Sequence, residues 1–252
     1  MSAEPLLSVR GLCKAFGALQ VAQQIDLDLG AGDRVGLIGP NGAGKTTLVN
    51  LLTGVLKASA GSVMLGGRRI DTLDEAARVR AGIVRTHQIN TLLNETSTRD
   101  NVALAIAERD GVARRMFRFR AAWNDCLEQA QARLEQLGLG ASADRLVGEL
   151  PYGHQRLLEI AIALSLRPRV LLLDEPAAGV PSSEAHAIHQ AIDRLPREVA
   201  VLMIEHDMDL VFRFAQQIVV LVGGKVLVRG SPSVVRADPR VREVYLGRSV
   251  SA

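Results

Sequence analysis

Short apolar runs and amphipathic stretches succeed one another along most of this chain. Residues 21–29 alternate between apolar and polar side chains, which is the period of a strand with one buried face. Residues 47–54 instead place Leu48, Leu51 and Leu52 at helical spacing. The same two criteria predict further strands at 6–9, 34–38, 62–65, 82–85, 170–173 and 199–204, and further helices at 157–166 and 182–195.

The segment from 98 to 140 departs from this alternation. It is rich in Ala, Leu, Gln and Arg and has no strand-like pattern, so it predicts a helical insert. Strands that alternate with helices predict a mostly parallel sheet covered on both faces. We therefore expect an α/β fold in a single domain spanning 1–252, with a core at 1–88 and 157–252 and a helical sub-domain at 89–156.

The composition argues against several classes of protein. The 252 residues are 48% hydrophobic, but no apolar run approaches the ~18 residues that a membrane span needs. The first five residues show no secretion signal, and Cys13 and Cys126 lie too far apart for a metal-type pair, which favours a reducing cytosol. A net charge of +3 and 3% aromatic residues do not indicate nucleic-acid binding.

A phosphate-binding motif lies between the strand at 34–38 and the helix at 47–54. It fits the pattern G-x-x-x-x-G-K-[ST] at every required position, which a merely flexible turn would not explain. Glycines let backbone N–H groups curl around a polyphosphate, and the helix N-terminus adds its positive dipole end. Lys45 would reach the β- and γ-phosphates, and the Thr46 hydroxyl would ligate Mg²⁺. The motif consists of Gly39, Pro40, Asn41, Gly42, Ala43, Gly44, Lys45, Thr46 and Thr47.

Two carboxylates follow the apolar strand at 170–173. Ligands of parallel sheets bind beyond the carboxyl ends of the strands, so Asp174 would face the phosphate site. We expect Asp174 to hold Mg²⁺ through water and Glu175 to polarise an attacking water. The alternative is an ordinary acidic helix start, where carboxylates are favoured. The phosphate motif upstream favours the catalytic interpretation.

Two further polar side chains follow predicted strands. His206 comes after the strand at 199–204, and Gln88 comes after the strand at 82–85. A lone histidine at a strand end is usually a solvated turn residue, and each signal is weak by itself. Their order relative to the phosphate motif and the carboxylate strand places both at the same predicted edge of the sheet.

Taken together, these motifs resemble the ATP-binding subunits of ABC transporters, and the resemblance extends over residues 7–247. It implies a RecA-like P-loop NTPase core with an N-terminal antiparallel β sub-domain and an inserted helical sub-domain. It also implies that Phe16 stacks on adenine, that Gln88 contacts Mg²⁺ and the permease, and that His206 lies at the γ-phosphate. Metal contacts would then come from Thr46, Gln88 and Asp174.

The resemblance places the family signature at 150–155, where Tyr152, Gly153 and His154 would contact the nucleotide of a partner chain. Tyr152 replaces the first signature glycine, and this replacement resembles the branched-chain amino acid uptake branch of the family. The same resemblance is seen at residues 85–88, 174–180, 204–208 and 238–247. Pro151 replaces the usual Ser or Ala, and it cannot donate a hydroxyl hydrogen bond. A lost bond to a charged phosphate costs ~1.5–3 kcal/mol, so we expect a roughly ten- to hundredfold weaker contact in trans.

The resemblance implies an ATP-hydrolysing subunit of a membrane importer, with Lys45, Glu175 and His206 as its catalytic residues. Each ATP would lie between Lys45 of one chain and Gly153 of a second, identical or related ATP-binding chain. Two transmembrane permease subunits and, indirectly, a solute-binding protein would complete the assembly at the cytoplasmic face of the cell membrane. The solute would be a branched-chain amino acid, with urea, amides, aromatic acids and lipopolysaccharide left open.

Two other functions compete with this interpretation. Soluble ABC-type ATPases of DNA repair or translation usually carry long coiled-coil insertions or two cassettes, and this chain has neither. A small P-loop kinase would not explain the signature at 150–155 or His206. The basic cluster at 114–120 is best interpreted as a solvated helix face. Contact with anionic lipid or a permease loop is the second interpretation, and binding of nucleic acid is the weakest.

Overall fold

A computed structural model describes residues 4–86, 92–112 and 119–246. Its strands are β1 Leu7–Phe16, β2 Leu19–Leu29, β3 Arg34–Ile38, β4 Ala60–Leu65, β5 Arg68–Arg69, β6 Ile83–Arg85, β7 Val170–Asp174, β8 Ala200–Ile204, β9 Gln217–Val222 and β10 Lys225–Gly230. Its α-helices are α1 Lys45–Thr53, α2 Glu75–Ala81, α3 Thr98–Arg109, α4 Phe119–Gln136, α5 Tyr152–Ser165, α6 Ser182–Asp193, α7 Met208–Phe214, α8 Pro232–Ala237 and α9 Pro239–Leu246.

The chain folds into two units. The first comprises Met1–Ile83, Arg169–Glu175 and Pro196–Ala252, and the second comprises Val84–Pro168 and Pro176–Leu195. This division differs from the predicted boundaries at 88/89 and 156/157, because α5 packs against α3 and α6 packs against α5. The signature helix and the helix after β7 therefore belong to the second unit.

The chain forms an antiparallel sheet in the order β2-β1-β4-β5 and a six-stranded sheet in the order β10-β9-β3-β8-β7-β6, and every strand except β6 lies wholly in the first unit. One apolar cluster joins the two sheets, since it takes buried side chains from β1, β2 and β4 and also from β3, β7, β8 and β9. Helix α1 contributes Leu48, Leu51 and Leu52 to the same cluster. The predicted α/β fold with an antiparallel β portion is confirmed.

Strand β1 is longer than the predicted run at 6–9. Its pairing with β2 shifts register between Val9 and Leu12 and again near Lys14, and Gly11 has a φ of 54°. Such bulges break the two-residue alternation on which the prediction depended. The polar segment after β4 contains β5 and α2, neither of which was predicted. Helix α2 is capped by Asp74, which accepts a hydrogen bond from the Ala77 N–H.

Parallel pairing brings three strand ends to one edge of the second sheet. Strand β8 lies between β3 and β7, with Leu37 and Asp174 both in register with Ile204. The residues that follow these strands are the phosphate motif, Glu175 and the segment at 205–207. The sheet order therefore gathers segments that are far apart in the sequence.

The second unit is helical. The predicted insert at 98–140 is resolved into α3 and α4, which pack on each other and on α5. Ser97 caps the N-terminus of helix α3, since its hydroxyl oxygen accepts a hydrogen bond from the Asp100 N–H. Within residues 4–86, 92–112 and 119–246, no helix is long and apolar enough to cross a membrane.

Candidate nucleotide-binding site

The phosphate motif forms a tight loop between β3 and α1. Gly44 precedes α1 with a φ of 98°, and a Cβ there would lie 2.7 Å from the Val21 carbonyl oxygen. Both the backbone conformation and the space exclude a side chain at this position. Helix α1 has no side-chain cap and no acidic residue in its first turn. Its N–H groups and the positive end of its dipole are thus available to an anion.

A neighbouring hairpin supports this loop. The Gly224 N–H, in the turn between β9 and β10, donates to the Ala43 carbonyl at 3.0 Å. The Gln23 N–H of β2 donates to the Gly224 carbonyl at 2.8 Å. Sequence reasoning missed this support. The Gly223-Gly224 pair between apolar runs does signal a hairpin, but nothing local reveals which loop it contacts.

An open cavity of about 370 Å³ lies over the loop. Residues of four separate segments line it, namely Val21, Asn41, Gly42, Ala43, Gly44, Lys45, Thr46, Thr47, Glu175 and His206. Most of the predicted phosphate and catalytic residues thus share one cavity. Val21 is a lining residue that sequence analysis did not single out.

Lys45 is held at the start of α1 by the loop itself. Its ammonium donates to the Gly39 carbonyl at 2.7 Å and to the Pro40 carbonyl at 3.1 Å. Burial lowers the pKa of Lys45, and the carboxylates of Glu175 and Asp174 oppose that shift. These carbonyls therefore position the charge without neutralising it, so it stays available to a polyphosphate.

The side chains of Glu175 and His206 are in direct contact at the cavity. His206 Nε2 lies 2.6 Å from Glu175 Oε1, with half of the histidine side chain exposed. Glu175 has a φ of 49° and its N–H donates to the Ile204 carbonyl at 2.8 Å. A non-glycine residue in this left-handed region is uncommon, and such strained residues cluster at functional sites. The predicted shared edge placed these two residues near each other, but it did not reveal their direct contact.

The remaining predicted nucleotide contacts are more dispersed. Asp174 ends β7, next to Glu175. Phe16 ends β1 with 50% of its surface exposed, and the Lys14 ammonium lies 4.9 Å from its ring centroid. Gln88 lies outside the described residues, as does most of the basic cluster at 114–120.

The C-terminal helix α9 also reaches the phosphate loop. Burial raises the pKa of Tyr245 to about 12, and the backbone N–H of Gly39 opposes that shift. Gly39 is the residue whose carbonyl holds Lys45. The residues at 238–247 resemble the family pattern, but they gave no sign that Tyr245 lies near Gly39.

The helix predicted at 157–166 begins earlier than expected and includes part of the signature segment. Helix α5 begins at Tyr152, with Pro151 as its N-cap, so Tyr152 and Gly153 occupy the first turn. The Gly153 N–H donates to Glu184 Oε2 at 2.7 Å. The Tyr152 hydroxyl accepts from Arg156 Nη2 at 3.1 Å, and that guanidinium also lies over the tyrosine ring.

A buried ion pair follows on α5. Arg156 Nη1 donates to Glu159 Oε2 at 3.0 Å, and both side chains are less than a tenth exposed. Burial raises the pKa of Glu159 from 4.5 to about 7, although Arg156 opposes the shift. His154 Nδ1, one turn earlier, is buried without a hydrogen-bond partner among the described residues.

Glu159 should make the stability of the protein depend on pH. Because its pKa is raised on folding, the folded chain binds the proton more tightly between pH 4.5 and about 7. The free energy of unfolding should therefore fall as pH rises through that window, by at most about 3 kcal/mol, and this contribution should level off above it. Denaturant unfolding from pH 5 to 8 measures this slope.

The matched variants are Glu159→Gln, which removes the titration, and Glu149→Gln, which alters an exposed carboxylate nearby. We expect the loss of stability between pH 5 and 7 to shrink in the first variant and to persist in the second. An identical slope in all three proteins would show that Glu159 does not titrate in this range.

Comparison with known proteins agrees with this geometry. The sequence model of the ABC transporter family matches residues 22–178, and that of the branched-chain amino acid ATP-binding cassette transporter matches residues 225–251. The high-affinity branched-chain amino acid transport ATP-binding protein LivG of Escherichia coli K12 is 38% identical, over 98% of this chain and 99% of that protein. The BraF protein of Pseudomonas aeruginosa, described in the same terms, is also 38% identical, over 97% and 99%.

Solved structures show the same fold. The crystal structure of the ADP conformation of MJ1267, an ATP-binding cassette of an ABC transporter, superposes with a TM-score of 0.84 at 30% identity. The match covers 97% of this chain and all of that one. The relatives and the solved structure match nearly the whole sequence, and the two family models match the parts of it named above. The chain belongs to the ABC transporter family, as an ATP-binding and ATP-hydrolysing subunit.

Proposed function

We propose that this subunit powers the import of branched-chain amino acids, with Lys45, Thr46, Glu175 and His206 as the centre of its ATPase site. The observation that carries the proposal is that these four side chains line one cavity at the N-terminus of α1. The relatives named above, both ATP-binding proteins of branched-chain amino acid transport, support the choice of solute.

ATP would bind with its phosphates over α1. The backbone N–H groups of 41–46 surround the phosphates, and the helix dipole favours their charge. The Lys45 ammonium exchanges its Gly39 and Pro40 carbonyl partners for phosphate oxygens. Phe16 offers its exposed ring to the adenine, near Val21 of the adjoining strand β2.

Hydrolysis would depend on the pair formed by Glu175 and His206. Glu175 accepts the proton of the attacking water as the new oxygen–phosphorus bond forms and the bond to the β-phosphate oxygen breaks. His206, 2.6 Å from the Glu175 carboxylate, fixes the orientation of that base and presents its ring to the γ-phosphate. The left-handed backbone at Glu175 directs the side chain into the cavity.

The oxygen donors at this edge suit Mg²⁺, which prefers hard oxygen ligands and shares them with substrate phosphates. Thr46 lines the cavity, and Asp174 ends β7. These two residues would hold the ion, together with Gln88. When bound, the ion neutralises charge that develops on the phosphate oxygens.

The proposed transporter contains further subunits. A second ATP-binding subunit, identical or related, would place its Tyr152, Gly153 and His154 on the nucleotide held by Lys45. Two transmembrane permease subunits would anchor the pair at the cytoplasmic face of the membrane, and a solute-binding protein would deliver the amino acid. Nucleic acid plays no part in this proposal.

Reconstitution tests the proposed transport. The isolated chain should hydrolyse ATP slowly, and its activity per chain should rise with its concentration, because the site is complete only in a pair. Co-expression with its permease pair should recruit the chain to membranes, and leucine-loaded binding protein should stimulate ATPase activity in proteoliposomes. Urea or an aromatic acid in place of leucine is the control. Full activity of the isolated chain, without recruitment by any permease, would instead favour a soluble ABC-type ATPase.

A further inference from the structure

Glu184 accepts the hydrogen bond from the backbone N–H at the centre of the signature. Its Oε2 accepts the Gly153 N–H at 2.7 Å, although the two residues are 31 positions apart. Both belong to the second unit, Glu184 in the first turn of α6 and Gly153 in the first turn of α5. Gly153 is buried and Glu184 is half-buried. A carboxylate therefore already lies where the signature would meet a phosphate.

The local sequence of α5 explains why this contact forms. The first N–H groups of a helix need acceptors, which an N-cap side chain or an acid in the first turn usually supplies. Pro151, the N-cap, makes no side-chain hydrogen bond, and the first turn of α5 contains no acid. Glu184 supplies both the acceptor and the negative charge that the helix dipole favours.

The fit is close enough to require glycine at 153. A Cβ built on Gly153 would lie 2.6 Å from Glu184 Oε2 and 2.9 Å from Glu184 Cβ. The carboxylate thus fills the space directly over the Gly153 backbone. An incoming phosphate would need the same space and the same N–H.

We propose that the Glu184 carboxylate competes with the γ-phosphate of the partner's ATP for the Gly153 N–H. The phosphate must displace this carboxylate before the pair closes. This inference rests on the proposed pairing of two ATP-binding subunits through Gly153. Two acceptors cannot both take one N–H at full strength, and two anions in one position repel each other. Because Glu184 is half-buried, its side chain can swing outward without unfolding α6. The contact raises the ATP concentration at which the pair forms.

The first test measures ATP-dependent pairing by light scattering in a Glu175→Gln background, which preserves bound ATP. Adding Glu184→Gln removes the charge, and adding Glu184→Ala removes the acceptor. Glu184→Ala lacks the charge-assisted hydrogen bond to the Gly153 N–H that ATP must otherwise displace. We therefore expect this variant to pair at a roughly tenfold lower ATP concentration, with Glu184→Gln in between. Asp193→Asn, an exposed charge at the other end of α6, is the matched control and should change nothing.

The second measurement does not depend on pairing. The amide signal of Gly153 in a ¹⁵N-labelled chain without nucleotide should shift in Glu184→Gln and stay unchanged in Asp193→Asn. An unshifted amide, or pairing that Glu184→Ala leaves unchanged or weakens, would overturn the competition and leave the proposed function intact. No ATP-dependent pairing in any background, whether the chain is alone or mixed with the related ATP-binding chain of its transporter, would overturn the proposed function itself and the competition with it.

Discussion

Glu175→Gln is expected to bind ATP with nearly unchanged affinity and to hydrolyse it roughly a hundred- to ten-thousandfold more slowly, the usual contribution of a general base. Glutamine has the shape of glutamate and keeps an oxygen for the contact with His206. Its backbone can retain the left-handed conformation and the hydrogen bond from its N–H to Ile204. Only the basicity is lost, so turnover should fall while binding remains.

Single-turnover hydrolysis and binding of a fluorescent ATP analogue separate these two effects. Glu128→Gln, an exposed position on α4 in the second unit, is the matched control and should match the unmodified chain in both measurements. Turnover near that of the unmodified chain in Glu175→Gln would remove Glu175 from the role of base. His206→Ala should then be measured, because the histidine would be the remaining candidate at the same cavity.

Lys45→Ala is expected to weaken ATP binding by roughly a hundredfold or more, since it deletes a charge-assisted contact to two phosphates. The fold should survive, because burying the Lys45 ammonium costs solvation free energy and burying an alanine does not. The Gly39 and Pro40 carbonyls lose their donor, but Lys45 itself lines an open cavity, so water can enter the space that its side chain leaves.

Isothermal titration gives the affinity, and thermal unfolding with and without ATP reports both stability and binding. The unmodified chain should unfold at a higher temperature when ATP is present, and Lys45→Ala should not. Lys57→Ala, an exposed lysine shortly after α1, should behave as the unmodified chain does. Retained ATP stabilisation in Lys45→Ala would mean that the loop N–H groups alone hold the phosphates.

Elements with strong local patterns were predicted closely. The strands at 170–173 and 199–204 differ by one residue from β7 and β8. Their continuous apolar runs reflect burial on both faces, which the sequence records directly. The bulged end of β1 and the helices α2, α8 and α9 were not predicted. Bulges interrupt the two-residue period, and these helices are too short for a clear helical period.

The sequence by itself determined the family, the phosphate loop and the carboxylate that follows β7. These features depend on residues a few positions apart, whose spacing and backbone requirements are local, as at Gly44 and Lys45. The tertiary structure alone decided which distant groups meet them. Because β8 lies between β3 and β7, His206 reaches Glu175. Because α6 packs on α5, Glu184 reaches Gly153. Such contacts follow from sheet order and helix packing, which the local pattern of side chains does not encode.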